Sequence, residues 1–145
     1  MSSKTRRSDT HMASPPRIAA VVIALLHACK VIKADPDTTL QYKICNGDAS
    51  TTFAYKDSVK DLLQDIVDKT SSSGFYNYYS ESMEFLTKTC YGHGACNGHL
   101  SHPDCDACLS AAKQKILELC KLSVGAQVQL TDCRIRYEDY FFQEN

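Results

Sequence analysis

Cys96-Asn-Gly-His-Leu-Ser-His-Pro-Asp-Cys105-Asp-Ala-Cys108 places three cysteines within thirteen residues of a chain that carries eight in all. Ser101 or His102 is a helix cap and Pro103 suits the first turn, so the stretch reads as a loop entering a helix. The helix carries Cys105, Cys108, Leu109, Ala112, Ile116, Leu119 and Cys120 on its inner side. Three chemistries fit the cysteines. Cys96, His99, His102, Cys105 and Cys108 have the ligand types of a zinc site. Cys105-Asp-Ala-Cys108 at a helix start has the form of a redox dithiol, although no parallel βαβ pattern surrounds it. Eight cysteines in 145 residues also fit a disulfide scaffold, which needs an oxidising compartment.

An export signal is present upstream. Arg17 precedes nine apolar residues ending at Leu26, too short for a membrane span but sized for a signal-peptide core. Ala34, before Asp35-Pro36-Asp37, offers a cleavage point, although His27, Cys29, Lys30 and Lys33 make the approach irregular. Met1 to His11 form a polar preface, and Met12-Ala-Ser-Pro-Pro-Arg17 reads as a more ordinary start. The expected division is residues 1–34 as extension and signal peptide, and 35–145 as one domain.

The whole chain has a net charge of −1, but residues 35–145 hold 16 acidic and 10 basic residues, a net charge of −6. An acidic domain argues against nucleic-acid binding and against cationic membrane lysis. There is no Asn-x-Ser/Thr acceptor and no nucleophile elbow, phosphate-binding glycine loop or His-Glu-x-x-His motif. The reading is therefore non-enzymatic, with no cofactor and no metal.

Further along, Thr39–Cys45 alternates as a first strand, broken by Asn46-Gly47-Asp48. Phe53–Lys69 is an amphipathic helix with Val59, Leu62, Leu63, Ile66 and Val67 on one stripe. Phe75–Tyr79 and Glu84–Cys90 read as a hairpin, with alternate rings of Phe75, Tyr76, Tyr78 and Tyr79 filling the core. Val128–Leu130 and Cys133–Tyr137 read as strands out of phase, which implies a bulge or break near Asp132. His93, His99 and His102 read as exposed loop residues. The tally predicts an α+β domain, with two helices on one face of a four- to five-stranded antiparallel sheet.

Three features taken together resemble the ginkbilobin-like domain: the Cys-x8-Cys-x2-Cys spacing, Tyr91-Gly92 ahead of Cys96, and the tail Gly125-Ala-Gln-Val-Gln-Leu-Thr-Asp-Cys133-Arg-Ile-Arg-Tyr-Glu138. This is the plant stress-antifungal, cysteine-rich secretory family, found singly in seed antifungal proteins and in tandem in receptor-like kinases. The likeness covers about Thr39 to Phe142. It implies three disulfides, Cys45–Cys120, Cys96–Cys105 and Cys108–Cys133, and leaves Cys90 unpaired if Cys29 departs with the signal. It also implies a secreted, apoplastic, mannose-binding defence protein acting on fungal cell-wall glycans, with an Asn, an Arg and a Glu at the sugar site. Here those positions are Asn46, Gln127 and Glu138, so the Arg is substituted. Arg134, Arg136 and Glu138 share one strand face, which makes Arg136 an accessory candidate for the missing guanidinium. Two plainer readings stand beside these: Asn46 as a turn residue and Glu138 as solvated surface. The alternative function is an apoplastic protein-interaction module without sugar binding.

Overall fold

The computed structural model describes residues 35–47, 53–74, 77–82, 89–121 and 123–144. The signal segment, Cys29 and the cleavage site lie outside these residues, as do Asp48, Phe75, Tyr76 and 84–88. The elements in chain order are β1 (Leu40–Asn46), α1 (Phe53–Thr70), β2 (Asn77–Ser82), β3 (Cys90–Cys96), α2 (His102–Leu119), β4 (Gly125–Leu130) and β5 (Cys133–Glu138). The strands form one antiparallel sheet in the order β1-β4-β5-β3-β2. Both helices pack on one face of it, α1 against β2 and β3, and α2 mainly against β4 and β5. The α+β expectation holds.

α1 forms where its stripe predicts, burying Val59, Leu62, Leu63, Ile66 and Val67. Each such side chain contributes about 2 kcal/mol on removal from water. α2 begins as its sequence dictates: Ser101 caps it, accepting from the Asp104 amide, with Pro103 in the first turn. A short Ser101–Asp104 side-chain contact reinforces the cap. Leu119, expected inside, is 37% exposed, because the buried face of α2 ends at Ile116. The phase break at Asp132 is a tight connection from β4 to β5, while the one register shift lies in β1 near Leu40.

β3 departs from expectation. The strand runs Cys90–Cys96, through a glycine-rich segment, instead of ending at Cys90. The cause is packing. A Cβ on Gly92 would lie 2.6 Å from Ile66, and one on Gly94 would lie 2.3 Å from Ile66 and 2.8 Å from Thr70. Helix α1 approaches the sheet so closely that only glycine fits below it, so β3 lacks the β-branched residues that normally announce a strand.

Three disulfides complete the scaffold: Cys45–Cys120, Cys96–Cys105 and Cys108–Cys133. They tie β1 to the residue after α2, the end of β3 to the start of α2, and α2 to β5. The sulfurs of Cys96, Cys105 and Cys108 are consumed in these bonds, so the zinc and dithiol readings lose their ligands. Cys90 is a buried free thiol.

Candidate functional site

The face of the sheet turned away from the helices carries the even residues of β1 and β5 and the odd residues of β2, β3 and β4. Strand alternation therefore places Asn46, Gln127, Arg136 and Glu138 on one surface. Three of these four converge.

Asn46 ends β1 and pairs with Gly125 of β4. Its Nδ2 donates to Glu138 at 2.9 Å (Oε1) and 3.2 Å (Oε2). Arg136 Nε donates to the same Oε1 at 3.0 Å. Glu138 is only 1% exposed, so the solvated-surface reading fails, and the buried carboxylate is matched by an amide and a guanidinium. Asn46 does stand at a strand end, so its turn position and its partnership with Glu138 coexist.

Gln127 sits opposite Arg136 in the ladder, but its Nε2 donates to the Tyr42 hydroxyl at 2.9 Å. Its amide is thus directed to β1. Arg136 takes the charged role beside Glu138. Partial burial pulls the Arg136 pKa down, but the Glu144 and Glu138 carboxylates outweigh this and hold it above its ordinary value.

Arg136 also joins groups that pattern reading missed. Its second nitrogen donates to Glu144 Oε1 at 2.9 Å and its third to the Tyr140 hydroxyl at 3.3 Å. The guanidinium carbon lies 4.2 Å from the centre of the Phe142 ring. Arg134 lies 3.7 Å from the other oxygen of Glu144. The Glu144 amide donates to the Tyr79 hydroxyl at 2.7 Å. Tyr140–Glu144 is thus a strap across β5 and β3 to β2. The alternating arginines were legible in the sequence; nothing local marks Glu144, eight residues from Arg136, as their partner.

His93 contradicts its expected place in an exposed loop. It lies in β3, opposite Arg136 and Tyr79, and is fully buried. Its ring sits 4.3 Å from that of Tyr79, and its Nε2 is 2.6 Å from Asn77 Oδ1. Burial drops its pKa to about 4; Arg134 and Arg136 push the same way and Glu144 opposes them. The imidazole is neutral near pH 7. His99 and His102 are exposed, as expected.

Among the described residues no helix is long and apolar enough to cross a membrane. On this face the Glu138 carboxylate is shared by the Asn46 amide and the Arg136 guanidinium, a grouping of the side-chain types that bind polar hydroxylated ligands.

Comparison with known proteins identifies the family. The salt stress response/antifungal family model matches residues 44–140. The chain is 36% identical over 124 residues to the antifungal protein ginkbilobin-like protein 2 of Picea glauca, covering 85% of this chain and 92% of that one. It is 29% identical over 123 residues to antifungal protein ginkbilobin-2 of Ginkgo biloba, covering 84% and 92%. Among solved structures, the tandem DUF26 ectodomain of the Arabidopsis thaliana cysteine-rich receptor-like protein PDLP8 superposes with a TM-score of 0.59 at 33% identity, over 71% of this chain and 46% of that ectodomain. With the five-stranded sheet, two helices and three disulfides, these matches make the chain a member of the salt stress response/antifungal, ginkbilobin-like family.

Proposed function

We propose that the protein is a secreted, non-enzymatic, mannose-type carbohydrate-binding defence protein with antifungal action through cell-wall glycans. The observation that carries this reading is the convergence of Asn46, Arg136 and Glu138 on one sheet face, where Arg136 supplies the guanidinium that Gln127 does not. The names of the relatives, antifungal and secretory, support a secreted, defence-related role.

The test is calorimetric titration of the disulfide-bonded protein with mannose and mannan, beside Asn46→Ala/Glu138→Ala and Arg136→Ala proteins. Saturable binding lost in both variants, with near-UV circular dichroism retained, supports it. Unchanged affinity in Arg136→Ala sinks the substitute-guanidinium role. Absence of binding at millimolar sugar sinks the lectin reading. The second reading, an apoplastic protein-interaction module, draws on Tyr42 and Ile44, which stand 45% and 46% exposed on the edge strand β1 beside Gln127.

A further inference from the structure

Every nitrogen of Arg136 is engaged by the protein itself: Nε by Glu138, the other two by Glu144 and Tyr140. Glu144 is the pivotal partner. One oxygen meets Arg136 at 2.9 Å, the other faces Arg134 at 3.7 Å, and its backbone amide is held by the Tyr79 hydroxyl. A carboxylate received by two arginines and flanked by aromatic rings (Phe142 on Arg136, Tyr79 on Phe142) is the arrangement of a bound acidic ligand. Two buried nitrogens next to this contact, Arg134 Nε and the Nδ1 of fully buried His93, have no hydrogen-bond partner. The basic cluster thus holds donor and acceptor capacity that Glu144 leaves unused.

We propose that Arg134 and Arg136 form a carboxylate-binding site occupied in this state by the chain's own Glu144, and that a sugar acid displaces the Tyr140–Glu144 strap to take its place. A sugar acid fits best because the arginines take the carboxylate, while Asn46, which shares the Glu138 carboxylate with Arg136, and the Tyr79 hydroxyl, released when Glu144 departs, are suited to ring hydroxyls. The strap is held by the Glu144 contacts, the Tyr140 hydroxyl, the buried Phe142 ring against Arg136 and Tyr79, and edge packing of Phe141 on Tyr91, while Phe141 and Gln143 are themselves exposed, so loss of the Glu144 contact removes its one charged anchor. Residues 35–145 carry a net charge of −6, so attraction of an acid rests on the local charge of Arg134 and Arg136, which Glu144 neutralises while the strap is in place.

The experiment is calorimetric titration of wild-type, Glu144→Ala and Glu144→Ala/Arg136→Gln proteins with trigalacturonate and with its neutral methyl ester. Removing the competing carboxylate raises affinity for the acid about tenfold or more, the scale of one charge-assisted contact. The ester shows no such gain, and the added Arg136→Gln change abolishes it. Equal affinity for the acid in wild-type and Glu144→Ala proteins overturns the proposal, as does an equal gain with the ester. Near-UV circular dichroism establishes that each variant is folded. Failure of mannose to bind leaves this result intact, because probe and readout differ.

Discussion

Asn46 at the end of β1 and Glu138 at the end of β5 are joined side chain to side chain although β4 lies between their strands. They meet because the β4 residue they span is Gly125. A Cβ there would lie 1.8 Å from Glu138 Oε2 and 2.7 Å from its Cδ. Glycine at this point lets a carboxylate lie flat over the sheet, where both a neighbouring amide and Arg136 can reach it.

Gly125→Ala therefore has a specific consequence. The methyl group and the carboxylate cannot share the space, so Glu138 must swing out of its donors or the strand must shift. Overpacking of this kind costs on the order of 2 kcal/mol. Urea unfolding measures the loss, and the Asn46 side-chain amide resonances report whether the contact breaks. A change below about 0.5 kcal/mol with unmoved resonances contradicts the geometry.

Asn46 has two informative substitutions. Asn46→Ala removes a donor to a buried carboxylate and costs about 1–2 kcal/mol. Asn46→Asp sets a second carboxylate against Glu138 and costs more at pH 7, with Arg136 left to balance both. One of the two acids then has a folded-state pKa above its unfolded value, so the folded form takes up the proton first. The stability of Asn46→Asp relative to wild type thus rises as pH falls from 7 toward 4. Paired unfolding curves at the two pH values read the sign, and an aspartate equal to alanine at both rules out like-charge contact.

The legible part of this fold is the part where periodicity and burial agree. α1 and α2 announce themselves through their stripes and the Ser101-His102-Pro103 cap, and β5 through strict alternation that also sorted Arg136 and Glu138 onto one face. β3 was not legible, because Gly92 and Gly94 answer to Ile66 and Thr70 of a helix some twenty-five residues earlier, not to strand propensity. His93 went astray with it: a histidine between two glycines looks like a loop until the strand is known. The strap was invisible for a different reason. Glu144 and Arg136 meet through tertiary folding of an acidic, aromatic segment that by composition resembles plain solvated tail.

Cys90 is fully buried, and burial pushes its thiol pKa up to about 11. Its sulfur lies 3.7 Å from the Ser82 carbonyl oxygen, which it faces as a weak donor. At pH 8 only about one molecule in a thousand carries the thiolate, and the reagent must also reach the core. In native protein Cys90 then reacts with a disulfide reagent at the rate of structural opening, and within seconds in 6 M guanidinium. The difference between wild-type and Cys90→Ala proteins isolates it from any other thiol. Rapid native-state labelling that Cys90→Ala removes contradicts a buried, inert thiol.

His93 makes the domain sensitive to acid. Its folded pKa of about 4 lies below the ordinary value of 6.5, chiefly through burial and secondarily through Arg134 and Arg136, against the opposing charge of Glu144. Between those values the unfolded chain binds a proton that the folded one does not. Unfolding is therefore favoured as pH falls through this window, and the contribution is fully present above about pH 6.5. The loss by pH 4 is about 3 kcal/mol. Other groups contribute to acid sensitivity as well, so the measurement is a difference: urea unfolding of wild-type and His93→Gln proteins from pH 7.5 to 4. The glutamine variant keeps a hydrogen-bonding side chain opposite Asn77 without a titrating ring, and its stability falls less steeply between pH 6.5 and 4. Parallel profiles would place the acid sensitivity elsewhere and the His93 ring in a wetter setting than its neighbour Tyr79 provides.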